Sequence, residues 1–393
     1  MLDERRNEKI GEILYFCSFI PLVAILILDT TTFPFVDNKI YNIISYLVMV
    51  LACVLSIVKC LLFDKDRSLR TRVLVSLSCI LIAFQGTIIV NNFNLFFMSV
   101  VCFAAHKINA LKILKVYLAV SAFIVILSTL LAKCGVILNL VYYEHGMYRY
   151  GLGNIYCTDY GARFFFLVLI TLCVFRQSIK IIHIIGIFLV SVLVFTQTCA
   201  RLDCGCILLS LILFTIDMYI NKKGKTDIKR LWESVCQKTA IISMPVAAII
   251  MFFLSLFYSP ASPVMCFLNN VLNGRLYFGH NGFSEFGITL FGQDVVFYGI
   301  PGAHDDIYNF IDCSYLNTLF RFGLIVTLAV IIAYVFMARK YRKNTFILLA
   351  ICLVSLNCMI AHHIIELAYN PLLILLFADC SDKLVVPVAD GTP

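Results

Sequence analysis

Apolar residues run almost unbroken for about twenty positions at a time, and short polar stretches separate the runs. The first run, "ILYFCSFIPLVAILIL", leaves no polar helical face. A helix that is apolar all round belongs inside a core or a bilayer, and about 20 such residues cross one. The pattern predicts twelve spans, roughly 11–28, 40–62, 73–90, 91–105, 111–132, 161–176, 181–198, 204–220, 239–258, 314–337, 345–361 and 362–378. The expected fold class is therefore an all-α polytopic membrane protein of about 12 transmembrane helices. A large external loop, 259–313, is expected between spans 9 and 10.

Two stretches are too long for one helix and short for two. Residues 73–105 carry "NNFN" at their middle, and residues 345–378 carry "AHHIIE". Basic residues decide between one crossing and two. Lys65, Arg67, Arg70 and Arg72 precede the first stretch, and Lys107, Lys112 and Lys115 follow it. Basic loops stay cytoplasmic, so each stretch must turn back as a tight helical hairpin. With that parity, 24 of the 31 basic residues fall inside and 7 outside, while the acids divide almost evenly. Bias in Lys and Arg alone is the form the positive-inside rule takes. It puts both termini and the 221–238 loop in the cytoplasm, and 133–160 and 259–313 outside.

Composition agrees: 61% of the 393 residues are hydrophobic and 14% are charged. The net charge of +8 is a topology signal and a contact for anionic lipid, not a nucleic-acid surface. The 17 cysteines contain no CxxC and lie mostly in apolar runs, so they read as small buried hydrophobes. The N-terminal stretch mixes acids with bases and lacks a small-residue cleavage site, so it is expected to remain as the first span.

The candidate chemistry lies in the outward segments. Arg149 in "YYEHGMYRYGLGN", Arg201 in "TQTCARLDCGC" and Arg275 in "VLNGRLYFGHNG" sit where the basic bias acts against them. A guanidinium is always charged and grips phosphate bidentately. Neighbouring glycines let backbone approach a ligand closely. A lone arginine at a helix end commonly snorkels or caps carbonyls; three among glycine-rich turns point to an anion such as a lipid diphosphate. Asp203 follows Arg201 closely enough to pair with it. The stretch "PGAHDDIYNFIDCSYL" (301–316) supplies His304, Asp305, Asp306, Asp312, Tyr308 and Tyr315. Asp312 reads either as the N-cap of the next helix or as a general base. Adjacent acids converge poorly on one ion, and no HExxH or outward DxD occurs, so neither a metal nor a cofactor is expected.

At these residues the sequence resembles the Wzy-type polymerases of bacterial capsule, exopolysaccharide and O-antigen assembly, especially those of Gram-positive bacteria. The resemblance runs in order through "GMYRYGLGNIYCTDYGARF", "TQTCARLDCGCILLSLIL", "NGRLYFGHNGFSEFGITLFGQD", "IDCSYLNTLFRFGLI" and "ELAYNPLLILL", covering about 145–380. It implies a glycosyltransferase of the cytoplasmic membrane. Such an enzyme moves a growing glycan from undecaprenyl diphosphate to a new lipid-linked repeat unit. Its implied partners are that lipid-linked oligosaccharide, the bilayer, a flippase and a chain-length regulator, with no nucleic acid. Arg149, Arg201 and Arg275 would hold the diphosphate. The residues themselves add that Asp312, with His304 second, is expected to take the acceptor's proton, and that Asp203, Asp305 and Tyr315 are expected to bind substrate. An O-antigen-ligase-like enzyme and a polysaccharide or lipid transporter are the alternatives.

The topology is directly testable. In a background without native cysteines, Lys225→Cys is expected to resist a membrane-impermeant maleimide on intact cells, and Glu285→Cys to react. The opposite labelling would reject the basic-loop argument.

Overall fold

The computed structural model describes residues 2–144, 146–299 and 308–380. The protein is an all-α polytopic membrane protein. Among the described residues, nine helical stretches are long and apolar enough to cross a membrane. They include α1 (Leu2–Leu28), α2 (Lys39–Val58), α3 (Leu69–Phe84), then, after the short α4 (Asn94–Ala104), α5 (Ala110–Lys133). After a two-stranded hairpin, β1 (Val141–Glu144) and β2 (Met147–Tyr150), come α6 (Cys157–Val174), α7 (Ile181–Thr198), α8 (Arg201–Lys223) and α9 (Thr226–Leu256). Two short helices follow, α10 (Pro263–Val271) and α11 (Arg275–Glu285), and then the long α12 (Ser314–Lys340) and the shorter α13 (Thr345–Asn357). α6 is the most enclosed of the long helices, and α3 and α7 present most of their apolar surface outward. That outward surface needs a lipid solvent, since large exposed apolar patches are rare on soluble monomers.

The basic segments share one face of the bundle. Lys59 is 2% exposed and donates to Asp64 at 2.7 Å and to the carbonyl of His106 at 2.5 Å. His106 meets Asp66, and Lys107 meets Glu8, each within 3.0 Å. Both ends of 69–105 therefore lie together, with the turn between α3 and α4 made by left-handed Asn91. Lys340 likewise donates to the carbonyls of Leu375 and Leu376 at 3.1 and 3.0 Å, so 345–378 also returns to the face it left.

The last expected span is not a helix. Residues 358–371 form turns, bends and irregular backbone, followed by a 3-10 turn, Leu372–Leu376. Pro371 lacks the donor a helix would need and clashes with the preceding turn. Irregular backbone survives at membrane depth only when protein buries it and satisfies its polar groups. Both conditions hold. Most residues of this strap are buried. Tyr117 donates to the carbonyls of Ala368 and Tyr369 at 2.9 and 2.8 Å. Asn370 donates to Ile364 and to Tyr334, and Ser314 donates to Ala361 at 2.5 Å.

α12 breaks at Gly323, whose φ of 87° and ψ of 173° lie outside the helical region. Residues 289–293 dock against the break: Leu324 and Ile325 donate to the carbonyls of Thr289 and Leu290 at 2.9 and 3.2 Å. Gln85, just past the end of α3, closes the junction by donating to the carbonyls of Phe291 and Phe322. A side chain at 323 would meet the Gly292 nitrogen at 2.4 Å and the Leu290 oxygen at 2.6 Å. Gly323→Ala is expected to destabilise the protein by at least about 1–3 kcal/mol, the usual scale of local backbone strain. Gly205→Ala in α8 meets open space and is expected to stabilise slightly, since Gly weakens a helix interior. Thermal unfolding in detergent checks the pair. Equal midpoints for the two variants would contradict the close approach at Gly323.

Candidate functional site

α6 and α8 approach closely because Gly161 has no side chain; a Cβ there would lie 2.5 Å from that of Ala200. The connection between α7 and α8 is tight. Cys199 is left-handed at φ 50°, and the Arg201 amide donates back to its carbonyl at 2.9 Å. Arg201 is thereby the first residue of α8, with its side chain exposed. Among the described residues its guanidinium has neither a hydrogen bond nor an ion pair.

Arg149 reaches the same place from β2. Tyr142 of β1 stands opposite it in the register. Its Nε donates to the Thr198 carbonyl at 3.0 Å, and its Nη1 pairs with Glu144. Tyr156 donates to the other oxygen of Glu144 at 2.7 Å. Arg149 is 8% exposed, so the pair is largely enclosed.

Arg275 opens α11 after two left-handed residues, Asn273 and Gly274, at φ 51° and 88°. The Asn269 side chain caps this helix start, accepting from the amides of Leu276 and Tyr277 at 3.1 and 3.0 Å. Gly279 and Gly282 press the helix onto Ser255, Leu316 and Phe320, where any Cβ would clash at 2.6 Å. Arg275 donates to the Ile360 carbonyl of the strap from Nε and Nη2, at 3.3 and 3.2 Å. Its Nη2 also lies 3.0 Å from Asp312 Oδ2.

These three arginines come from β2, α8 and α11, and they line one cleft. Its two adjoining chambers hold about 300 and 700 Å³. Glu144, Thr158, Asn270 and Asn273 line both chambers, Asp203 and Ile360 the first, and Tyr308 and Asp312 the second. Two guanidiniums face carboxylate partners and the third has none among the described residues, so the cleft offers donors to an anion at several points. Burial pushes the Asp312 carboxyl above the usual carboxylate range, and the Arg275 guanidinium acts in the opposite direction.

The geometry corrects several sequence-based expectations. Asp312 does not cap α12; Cys313 holds the N-cap position, and Asp312 turns to Arg275 instead. Acid and arginine thus meet as a pair within the cleft. Asp203 does not pair with Arg201: its carboxylate accepts from Asn357 at 2.9 Å and is 7% exposed. Tyr315 does not line the cleft. It is buried in the bundle core, donating to the Ser355 carbonyl at 2.9 Å. His304 and Asp305 lie outside the described residues. Glu144 and the three asparagines were missed. The alternation in "VYYE" and "MYRY" around a glycine would have shown the hairpin that brings Glu144 beside Arg149. Comparison of the chain with family models, with curated proteins and with solved structures finds no match in any of the three.

Proposed function

We propose that the protein is a membrane glycosyltransferase that polymerises lipid-linked oligosaccharide repeats. The observation that carries this reading is the convergence of Arg149, Arg201 and Arg275 on one cleft of a polytopic membrane protein. A glycan bound to undecaprenyl diphosphate suits such a cleft. Its diphosphate meets the guanidiniums while its prenyl chain stays in lipid. In the transfer step, an acceptor sugar hydroxyl attacks the anomeric carbon and the glycosyl–oxygen bond to the diphosphate breaks. The electron pair leaves with the diphosphate, whose developing charge the arginines stabilise. The hydroxyl proton passes to Asp312.

Asp312 has a physical reason to act at that moment. Without a donor it is held by Arg275. A diphosphate competes for the same guanidinium, which frees the carboxylate and raises its appetite for a proton. A buried carboxylate with an elevated pKa is a better base than an exposed one.

The decisive assay supplies purified protein with one lipid-linked repeat and resolves the products by size. A ladder is expected; a single addition would favour the ligase-like alternative, and no transfer at all would remove both. Arg201→Ala is expected to lower the rate about 10²–10³-fold, the usual loss when one transition-state donor is removed. Arg201→Lys is expected to recover little, because a point charge does not reproduce the bidentate fork. Full activity of the lysine variant would refute the fork. Asp312→Asn keeps the shape but cannot accept the proton, so it is expected to bind donor and form no polymer. Near-normal polymer from that variant would eliminate Asp312 as the base.

A further inference from the structure

A second polar cluster lies immediately behind the cleft. Thr158 and Ile360 line the cleft; one and two residues further on come Asp159 and His362. His362, His363 and Glu366 bring their ligating atoms within 4.8 Å of one another. His363 Nδ1 lies 2.7 Å from Glu366 Oε2, and His362 Nε2 lies 3.7 Å from Glu366 Oε1. Each imidazole thus addresses a different oxygen of one carboxylate. The geometry points to a divalent transition-metal site, with zinc the best match, held by His362, His363 and Glu366.

The donor set is two nitrogens and one carboxylate, which suits zinc and leaves a fourth position for water. Ligands about 2 Å from a tetrahedral ion stand roughly 3.3 Å apart. The 3.7 Å separation at His362 fits that spacing and is too long for a hydrogen bond. The 2.7 Å contact at His363 opens slightly when the metal replaces the shared proton.

The surroundings are those of a supported site. Metal-bound histidines commonly turn their other nitrogen to a carboxylate. Here His363 Nε2 faces Asp159 Oδ1 at 4.0 Å. Asn94 donates to Glu366 Oε1 at 3.2 Å and fixes the carboxylate. The Tyr369 ring stacks on His363 with centroids 3.7 Å apart and planes at 14°. Charge permits a cation. The nearby acids are Asp159, Glu366 and Asp294, against the guanidiniums of Arg163 and Arg321. Arg275, which also faces His362, is already paired with Asp312. The metal would tie down the non-helical strap whose Ile360 carbonyl seats Arg275. It acts as a positioning element and needs no particular reaction in the cleft.

The test uses full-length protein in detergent, stripped with a chelator and then titrated with zinc. One tight zinc per chain is expected. His363→Ala and Glu366→Gln are expected to lose at least tenfold in affinity, and Asp159→Asn to weaken binding by less, since its carboxylate acts on the second nitrogen of His363 only as a charge 4.0 Å away. Should His363→Ala fail to run as a monodisperse species, the less buried His362→Ala serves in its place. His183→Ala, on the distant α7 start, is expected to leave binding unchanged. Cobalt in place of zinc is expected to give visible absorption bands that the His362 variant loses. No stoichiometric zinc on the wild type would overturn the site. So would zinc held equally by all variants, which would place it on the cysteines.

Discussion

Every polar backbone group in the strap 358–371 must find a partner inside the protein, because lipid supplies none. That requirement organises the surrounding bundle. Tyr117, Ser314, Tyr334 and Asn370 are drawn in from α5, α12 and the strap itself to serve it. Arg275 is drawn in as well, and its two bonds to the Ile360 carbonyl carry the constraint into the cleft. A helix here would have satisfied its own backbone and left that guanidinium without the Ile360 carbonyl. The irregular segment is thus what couples the bundle's interior to the polar chemistry at its face.

The cleft manages buried charge by pairing most of it. Removing one partner of a buried ion pair leaves an uncompensated charge and costs several kcal/mol. Arg149 has Glu144 and Arg275 has Asp312, so the resting site tolerates its enclosure. Of the three, Arg201 is the exposed one, and among the described residues its guanidinium has no carboxylate partner. In the proposed reading, an anionic ligand would meet the Arg201 guanidinium first and then compete with two carboxylates for the others. Such competition would favour groups with more than one charge, since a single charge gains too little to displace an acid.

Much of the bundle was legible in the sequence because lipid imposes a simple rule on long apolar runs. The helices over 11–28, 111–132 and 314–337 follow directly from it. The strap was not legible: the apolar run that closes 362–378 reads as a span, and Pro371 with the polar His362, His363, Glu366 and Asn370 were the hints otherwise. Its apolarity comes from being enclosed by protein on all sides, which hydropathy cannot distinguish from lipid. The three arginines were legible because the basic bias acts against them. Their partners were not. Asp312 lies 37 positions beyond Arg275, and only the packing of α11 on α12 brings them together. Tyr315 was misplaced because Asp312 precedes the helix start at Ser314; helical phase does not carry across that boundary.

Three arginines from distant parts of the chain line one cleft and are proposed to form one anion site. The most direct measurement is the affinity of purified protein for a short-chain prenyl diphosphate, compared with the matching monophosphate and alcohol. The account predicts diphosphate binding strongest, weakened by rising salt, and reduced by alanine at 149, 201 or 275 with losses that do not add. Equal affinity for diphosphate and alcohol, or losses confined to one arginine, would contradict it.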